Sequence, residues 1–183
     1  MFEKGSYIVY GGNGVCRVAD IGPIGHIRGY DAHKDYYRLE SVHMGGVIYV
    51  PTDTHVPMRK VISREEAEGL LAGIGGMEPR VCASRDPRVL REHYQSILAA
   101  HSTEELLRLI KAVNRKGRQA AQSGKRLGKT DQDYKKRAES LLCQELSVAL
   151  ELDYQQALEL LNHSLRSASE IGVQPQYETT APG

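Results

Sequence analysis

The chain has 183 residues, 40% hydrophobic and 26% charged, with a net charge of +1. These values suit one globular domain or two small ones, and no run of eighteen apolar residues offers a membrane span. Met1-Phe2-Glu3-Lys4 lacks the character of a secretory signal. Cys16, Cys82 and Cys143 are odd in number and widely spaced, which suggests reduced thiols, so a cytoplasmic location is expected.

In chain order, Tyr7-Ile8-Val9-Tyr10 runs into Gly11-Gly12-Asn13-Gly14, residue types that accept φ > 0 at little cost. A strand and a tight turn are predicted. Alternation resumes at Val15, Arg17, Val18 and Ile21, then in Tyr36-Tyr37-Arg38-Leu39 and Val47-Ile48-Tyr49-Val50-Pro51. Four or five strands in about sixty residues predict a small β-barrel whose own side chains fill its interior, leaving its rim and edge strand for function. The tyrosines Tyr7, Tyr10, Tyr36, Tyr37 and Tyr49 are read as core or half-buried cross-strand residues. A base-stacking sheet would interleave them with Lys and Arg, yet residues 1–63 hold 7 Lys/Arg against 6 Asp/Glu.

Helical signals follow. Ser63 with Glu66 forms a capping box before a short helix that ends near Gly73, and Asp86-Pro87 starts a second helix running to about residue 100. Ser102 with Glu105 caps a third, in which Leu106, Ile110 and Val113 share one face and Arg108, Lys111, Arg115 and Arg118 another. Thr130, with Asp131 and Asp133 behind it, opens a fourth helix with Tyr134, Ala138, Leu141, Leu142 and Val148 inward, and Asp153 begins a fifth.

The small net charge conceals a segregation. Residues 108–137 carry 11 Lys/Arg against 2 Asp/Glu, whereas residues 138–183 carry 1 against 7. A block with a net of +9 points to a polyanion, nucleic acid first, although a solvated helix surface is the plain alternative. Gly124-Lys125-Arg126-Leu127-Gly128-Lys129-Thr130 imitates a phosphate-binding P-loop. Its first glycine is one residue too close, and no strand precedes it to hold the amides in a nest, so it reads as a basic turn. The seven histidines show no ligand spacing, and no Ser or Cys sits in a nucleophile elbow; neither a cofactor nor an enzymatic activity is expected.

Phe2, Gly5, Val9-Tyr10, Gly14-Val15, Tyr36-Tyr37 and Val50-Pro51, then residues 59–62 leading into Ser63-Arg64-Glu65-Glu66-Ala67, then Tyr134, Lys136-Arg137-Ala138-Glu139, Leu141-Leu142 and Glu145-Leu146, occur in a telling order. Together they resemble the CarD/CdnL family of bacterial transcription regulators, whose first domain is also found in transcription-repair coupling factors. The resemblance covers roughly residues 1–165 and implies an α+β protein. Residues 1–62 would form a Tudor/SH3-like β-barrel, residues 63–170 an all-α helical bundle, and residues 171–183 a disordered tail. It further implies that the barrel docks on the β subunit of bacterial RNA polymerase while the helices lie on promoter duplex DNA, modulating open-complex formation, in a nucleoid-associated protein without a small-molecule substrate.

The DNA candidates on this reading are Arg85, Arg88, Arg91, Arg108, Lys111, Arg115, Lys116, Arg118, Lys125, Arg126 and Lys129. Leu90 joins them, because relatives press a tryptophan into the minor groove and this chain, which has no Trp, places Leu90 near that position. The polymerase candidates are His26, Arg28, Val47, Ile48 and Tyr49 on the rim and edge. A free-standing, non-specific nucleic-acid-binding protein of the nucleoid or of RNA is the rival reading; it needs the basic block and no barrel-mediated partner.

Overall fold

Five strands open the chain: β1 (Tyr7–Tyr10), β2 (Val15–Pro23), β3 (Asp35–Ser41), β4 (Val47–Pro51) and β5 (Met58–Lys60). The computed structural model describes residues 1–25 and 29–171, so the expected polymerase contacts His26 and Arg28 and all of the expected tail 171–183 except Ile171, which ends the last helix, lie outside the described residues. All strand pairs are antiparallel, in the order β4-β3-β2-β1-β5. The turn between β1 and β2 is a single 3₁₀ turn, Gly11–Asn13, in which the left-handed requirement falls on Gly11 (φ 48°) and, just after it, Gly14 (φ 74°).

Ile8, Cys16, Val18, Tyr37, Leu39 and Val50 form a small core on one face of the sheet, with Phe2, Ile48 and Met58 packed around it. Ile48 of β4 and Met58 of β5 reach the same cluster, so the sheet is strongly curled. No ladder joins β4 to β5 among the described residues, and the expected closed barrel is instead an open sheet. The reason is local: β5 has three residues, all paired with β1, and the chain then leaves directly for the first helix.

Five helices follow: α1 (Arg64–Ala72), α2 (Pro87–Ala99), α3 (Thr103–Gln122), α4 (Lys129–Leu150) and α5 (Tyr154–Ile171). The Ser63–Glu66 capping box, the Asp86 cap on the Arg88 amide and the Ser102 cap on the Glu105 amide all form as their residues predict. Asp153 and Gln156 cap each other's amides at the start of α5. The fourth helix begins at Lys129, one residue before the expected Thr130, behind a Gly128 that supplies no side-chain cap; Asp131 lies in its first turn, as expected, and its carboxylate is buried. In α3 the buried set is Leu106, Leu107, Leu109, Ile110, Ala112 and Val113, wider than one stripe. Its first half packs between α2 and α4, and the half from Arg115 onward is the more exposed.

The sheet docks on the C-terminal half of α4 through polar side chains that a helical core would ordinarily exclude. Glu145, 2% exposed, makes a bidentate pair with the Arg59 guanidinium of β5 and also accepts the Ile62 amide at 3.0 Å. The same guanidinium donates from Nη1 to the Lys60 carbonyl at 3.0 Å and from Nε to the carbonyl of His101 at 2.6 Å, a residue held in the left-handed region at φ 50°. On either side, Gln144 Oε1 accepts the Val15 amide at 3.4 Å and the Ser147 hydroxyl meets the His43 ring at 3.0 Å. Gly14 is held at φ 74°, where a side chain is strained, and a Cβ there would also press on that same Gln144 amide oxygen.

Removing one partner of a buried ion pair strands the other. Glu145→Ala should therefore destabilise the protein by about 2–4 kcal/mol, toward the lower part of the usual range because Arg59 keeps some solvent contact. Urea unfolding checks this, and Glu145→Gln, which retains an acceptor for Ile62, should lose less.

Candidate functional site

Two surfaces at opposite ends of α4 hold the expected functional residues. The first is the outer edge of β4. The Asp35 carbonyl accepts the Thr52 amide and the Gly46 carbonyl accepts the Ser41 amide, which, with the observed register, makes Tyr37/Val50 and Leu39/Ile48 the hydrogen-bonded pairs of β3 and β4. The backbone groups of Val47 and Tyr49 consequently point away from the sheet, and no strand pairs with them among the described residues. The Val47 side chain is 44% exposed. Tyr49 lies opposite Arg38 on the outer face, its ring edge-on to Tyr30, while Ile48 turns to the core side. Of the three described polymerase candidates, Val47 and Tyr49 thus present an edge, and Ile48 is chiefly a packing residue.

The second surface is the basic end of the bundle. Arg85, Arg88, Arg91, Arg115, Arg118, Lys125, Arg126 and Lys129 are exposed, and none forms a salt bridge among the described residues. They come from the start of α2, the end of α3, the connecting loop and the start of α4. Antiparallel packing of α3 on α4, and the contact of Tyr94 with Asp131, gather these segments at one end. The exposed cations Lys136 and Arg137 also belong here, the latter with its guanidinium 5.7 Å from the Tyr134 ring centre. The sequence reading missed both, although they lie inside the +9 block.

Three basic candidates belong to the scaffold instead. Lys111 donates its ammonium to the carbonyls of Ile74 and Met77, and burial lowers its pKa. Arg108 reaches the Glu78 carbonyl at 3.0 Å and the Glu105 carboxylate at 3.7 Å. These two side chains fasten the loop after α1 onto α3. Lys116 is paired at 2.7 Å with the buried carboxylate of Asp131, which also accepts the hydroxyl of Tyr94. Spacing along α3 identified the stripe; neighbours from other elements consumed its first half.

Leu90 requires a correction. It is 5% exposed and packs in the helical core with Tyr94 and Ile97, one and two turns along the same face of α2, so it is not available as a wedge against bases. The exposed apolar residue there is Val89. His93 is half-buried, and burial lowers its pKa. Among the described residues no three His, Cys, Asp or Glu side chains are grouped to hold a metal ion, and no helix is long and apolar enough to cross a membrane.

Residues 2–62, from the start of the sheet to the exit into α1, match the family model described as CarD-like/TRCF RID domain. The N-terminal unit is thus similar to the CarD-like RID domain over residues 2–62. No curated protein matches the chain. The similarity of this RID-like domain to the RNA-polymerase-interacting family supports a transcription-related role and RNA polymerase as a partner. The open β4 edge belongs to the RID domain, whereas every exposed cation of the basic end lies beyond residue 62, outside the matched segment.

The Tyr94 hydroxyl is buried against the Asp131 carboxylate, and desolvation first, then that hydrogen bond, push its pKa well above the ordinary value. A raised phenol keeps its proton in the folded state while the unfolded state releases it, so stability is present below pH about 10 and falls as pH rises beyond it. Tyr94→Phe should be less stable than the parent at pH 8 and lose less stability between pH 9.5 and 11, read from urea midpoints across that range.

Proposed function

We propose that this protein is a transcription regulator that docks on the β subunit of bacterial RNA polymerase through the β4 edge of its RID domain. Its basic helical end then lies on promoter duplex DNA without sequence preference and modulates formation of the open complex. The observation that carries the reading is the construction of α4. Its Glu145 is held by the RID domain and its Asp131 lies inside the basic end, about 21 Å apart at 1.5 Å per residue. One rigid helix therefore relates the protein-binding edge to the cationic surface.

The physics of each end fits its assigned partner. An edge strand with outward amides and carbonyls accepts a strand from another protein, and an apolar Val47 beside it adds contact area. Lysines and arginines from several segments, without an aromatic platform, suit phosphates rather than base edges. Tethering to polymerase raises the local concentration of the basic end near DNA, so weak phosphate contacts suffice and no catalytic group is called for.

For the edge, Val47→Asp in the full chain should weaken binding to the isolated polymerase β subunit about tenfold or more, about 1.4 kcal/mol per decade, with DNA binding retained. Surface plasmon resonance measures it; unchanged β-subunit affinity would remove the edge from the reading. Should the parent bind DNA but no polymerase subunit, the free-standing nucleic-acid binder takes its place.

For the basic end, Arg115→Gln combined with Arg126→Gln should reduce the slope of log affinity against log salt by about two units on any duplex sequence. Fluorescence anisotropy at several salt concentrations reads this slope. An unaltered slope would leave these cations as a solvated surface.

A further inference from the structure

A cleft of about 630 Å³ runs between the second half of α3, the first half of α4 and the middle of α5, from Glu159 to Ser169. Arg118 and Asn114 line it from α3, Lys135 from α4, and Glu159, Asn162 and Arg166 from α5. Arg166 is the single Lys or Arg in residues 138–183, a segment with seven carboxylates. The fold nonetheless sets it in the same cleft as Arg118. Neither arginine has a carboxylate within salt-bridge distance among the described residues, while Lys135 is engaged at 3.4 Å by Glu139.

Two guanidinium groups lining one cleft, neither paired with a carboxylate among the described residues, favour an anion there, and their forked donors match phosphate oxygens. The amides of Asn114 and Asn162 supply further neutral donors. Glu159 is the opposing charge, and its carboxylate already accepts from Gln155 at 3.0 Å. The same helices carry exposed Arg115, Lys129 and Lys136, so the ligand that satisfies this region is an extended polyanion rather than an isolated small anion. We propose that the cleft holds one phosphodiester of the bound duplex, which makes Arg166 of α5 part of the DNA interface. This rests on the DNA-binding reading above.

The test uses the full chain and a fluorescently labelled duplex over a salt series, with each variant's fold checked by circular dichroism. Arg166→Gln should lower the salt slope by about one unit, Arg118→Gln by the same amount, and the double variant again by about one, because both act on one phosphate. Glu159→Gln, which removes the opposing carboxylate, should tighten binding several-fold at fixed salt. An unchanged slope in Arg166→Gln, with parent binding intact and the Arg115 and Arg126 variant weakened, overturns the cleft and leaves the DNA-binding reading standing. A double-variant loss near two units overturns it as well, in favour of two separate surface contacts. Absence of duplex binding by the parent removes both.

Discussion

A carboxylate buried on α4 sets the arrangement of the whole molecule. Burying an ion costs several kcal/mol unless its lone pairs are met, and Glu145 meets them with a bidentate guanidinium and a backbone amide from the RID side. An apolar contact at this place would tolerate sliding and rotation. An ion pair with flanking hydrogen bonds from Gln144 and Ser147 does not, because each has one register in which it is satisfied. The junction thus trades some stability for a fixed angle between the sheet and α4, and everything presented by the far end of α4 inherits that angle.

At the far end, the same residue types serve two purposes, and neighbours decide which. Lys111 and Arg108 close a loop onto α3, and Lys116 neutralises Asp131 beneath Tyr94. Arg115, Arg118 and Lys129 have no such neighbour and stay in water. The structural cations still contribute to the long-range field of the +9 block, since a surface charge acts over a Debye length of about 10 Å at 0.1 M salt. On the proposed DNA-binding reading, direct contacts to phosphate would fall to the exposed ones. The buried Asp131 network lies directly under this surface and gives α2, α3 and α4 a common anchor there.

The open sheet suits the proposed docking. A closed barrel would leave no backbone donors for a partner, whereas the seam between β4 and β5 leaves β4 with outward-facing groups at Val47 and Tyr49. Pro51 ends this edge without an amide to offer, which limits the length over which unwanted strands can add.

Much was legible along the chain because local rules act over a few residues. The strand alternation, the glycine turn, the helix caps at Ser63, Asp86 and Ser102, and the basic block all depend on neighbours within about one or two helical turns, and they appear where their residues place them. Glu145 left a faint signal, a charge between Leu142 and Leu146 on an apolar face, but nothing local names Arg59, 86 residues away, as its partner. Likewise Leu90 carries no mark distinguishing a wedge from a core residue until α3 and α4 close over it, and spacing cannot separate Lys111 from Arg115. Sequence by itself determined the elements, their order and the sign of the charge. Tertiary structure alone decided which β edge stays open, which cations remain free and which acid is buried, because those outcomes depend on groups brought together from distant parts of the chain.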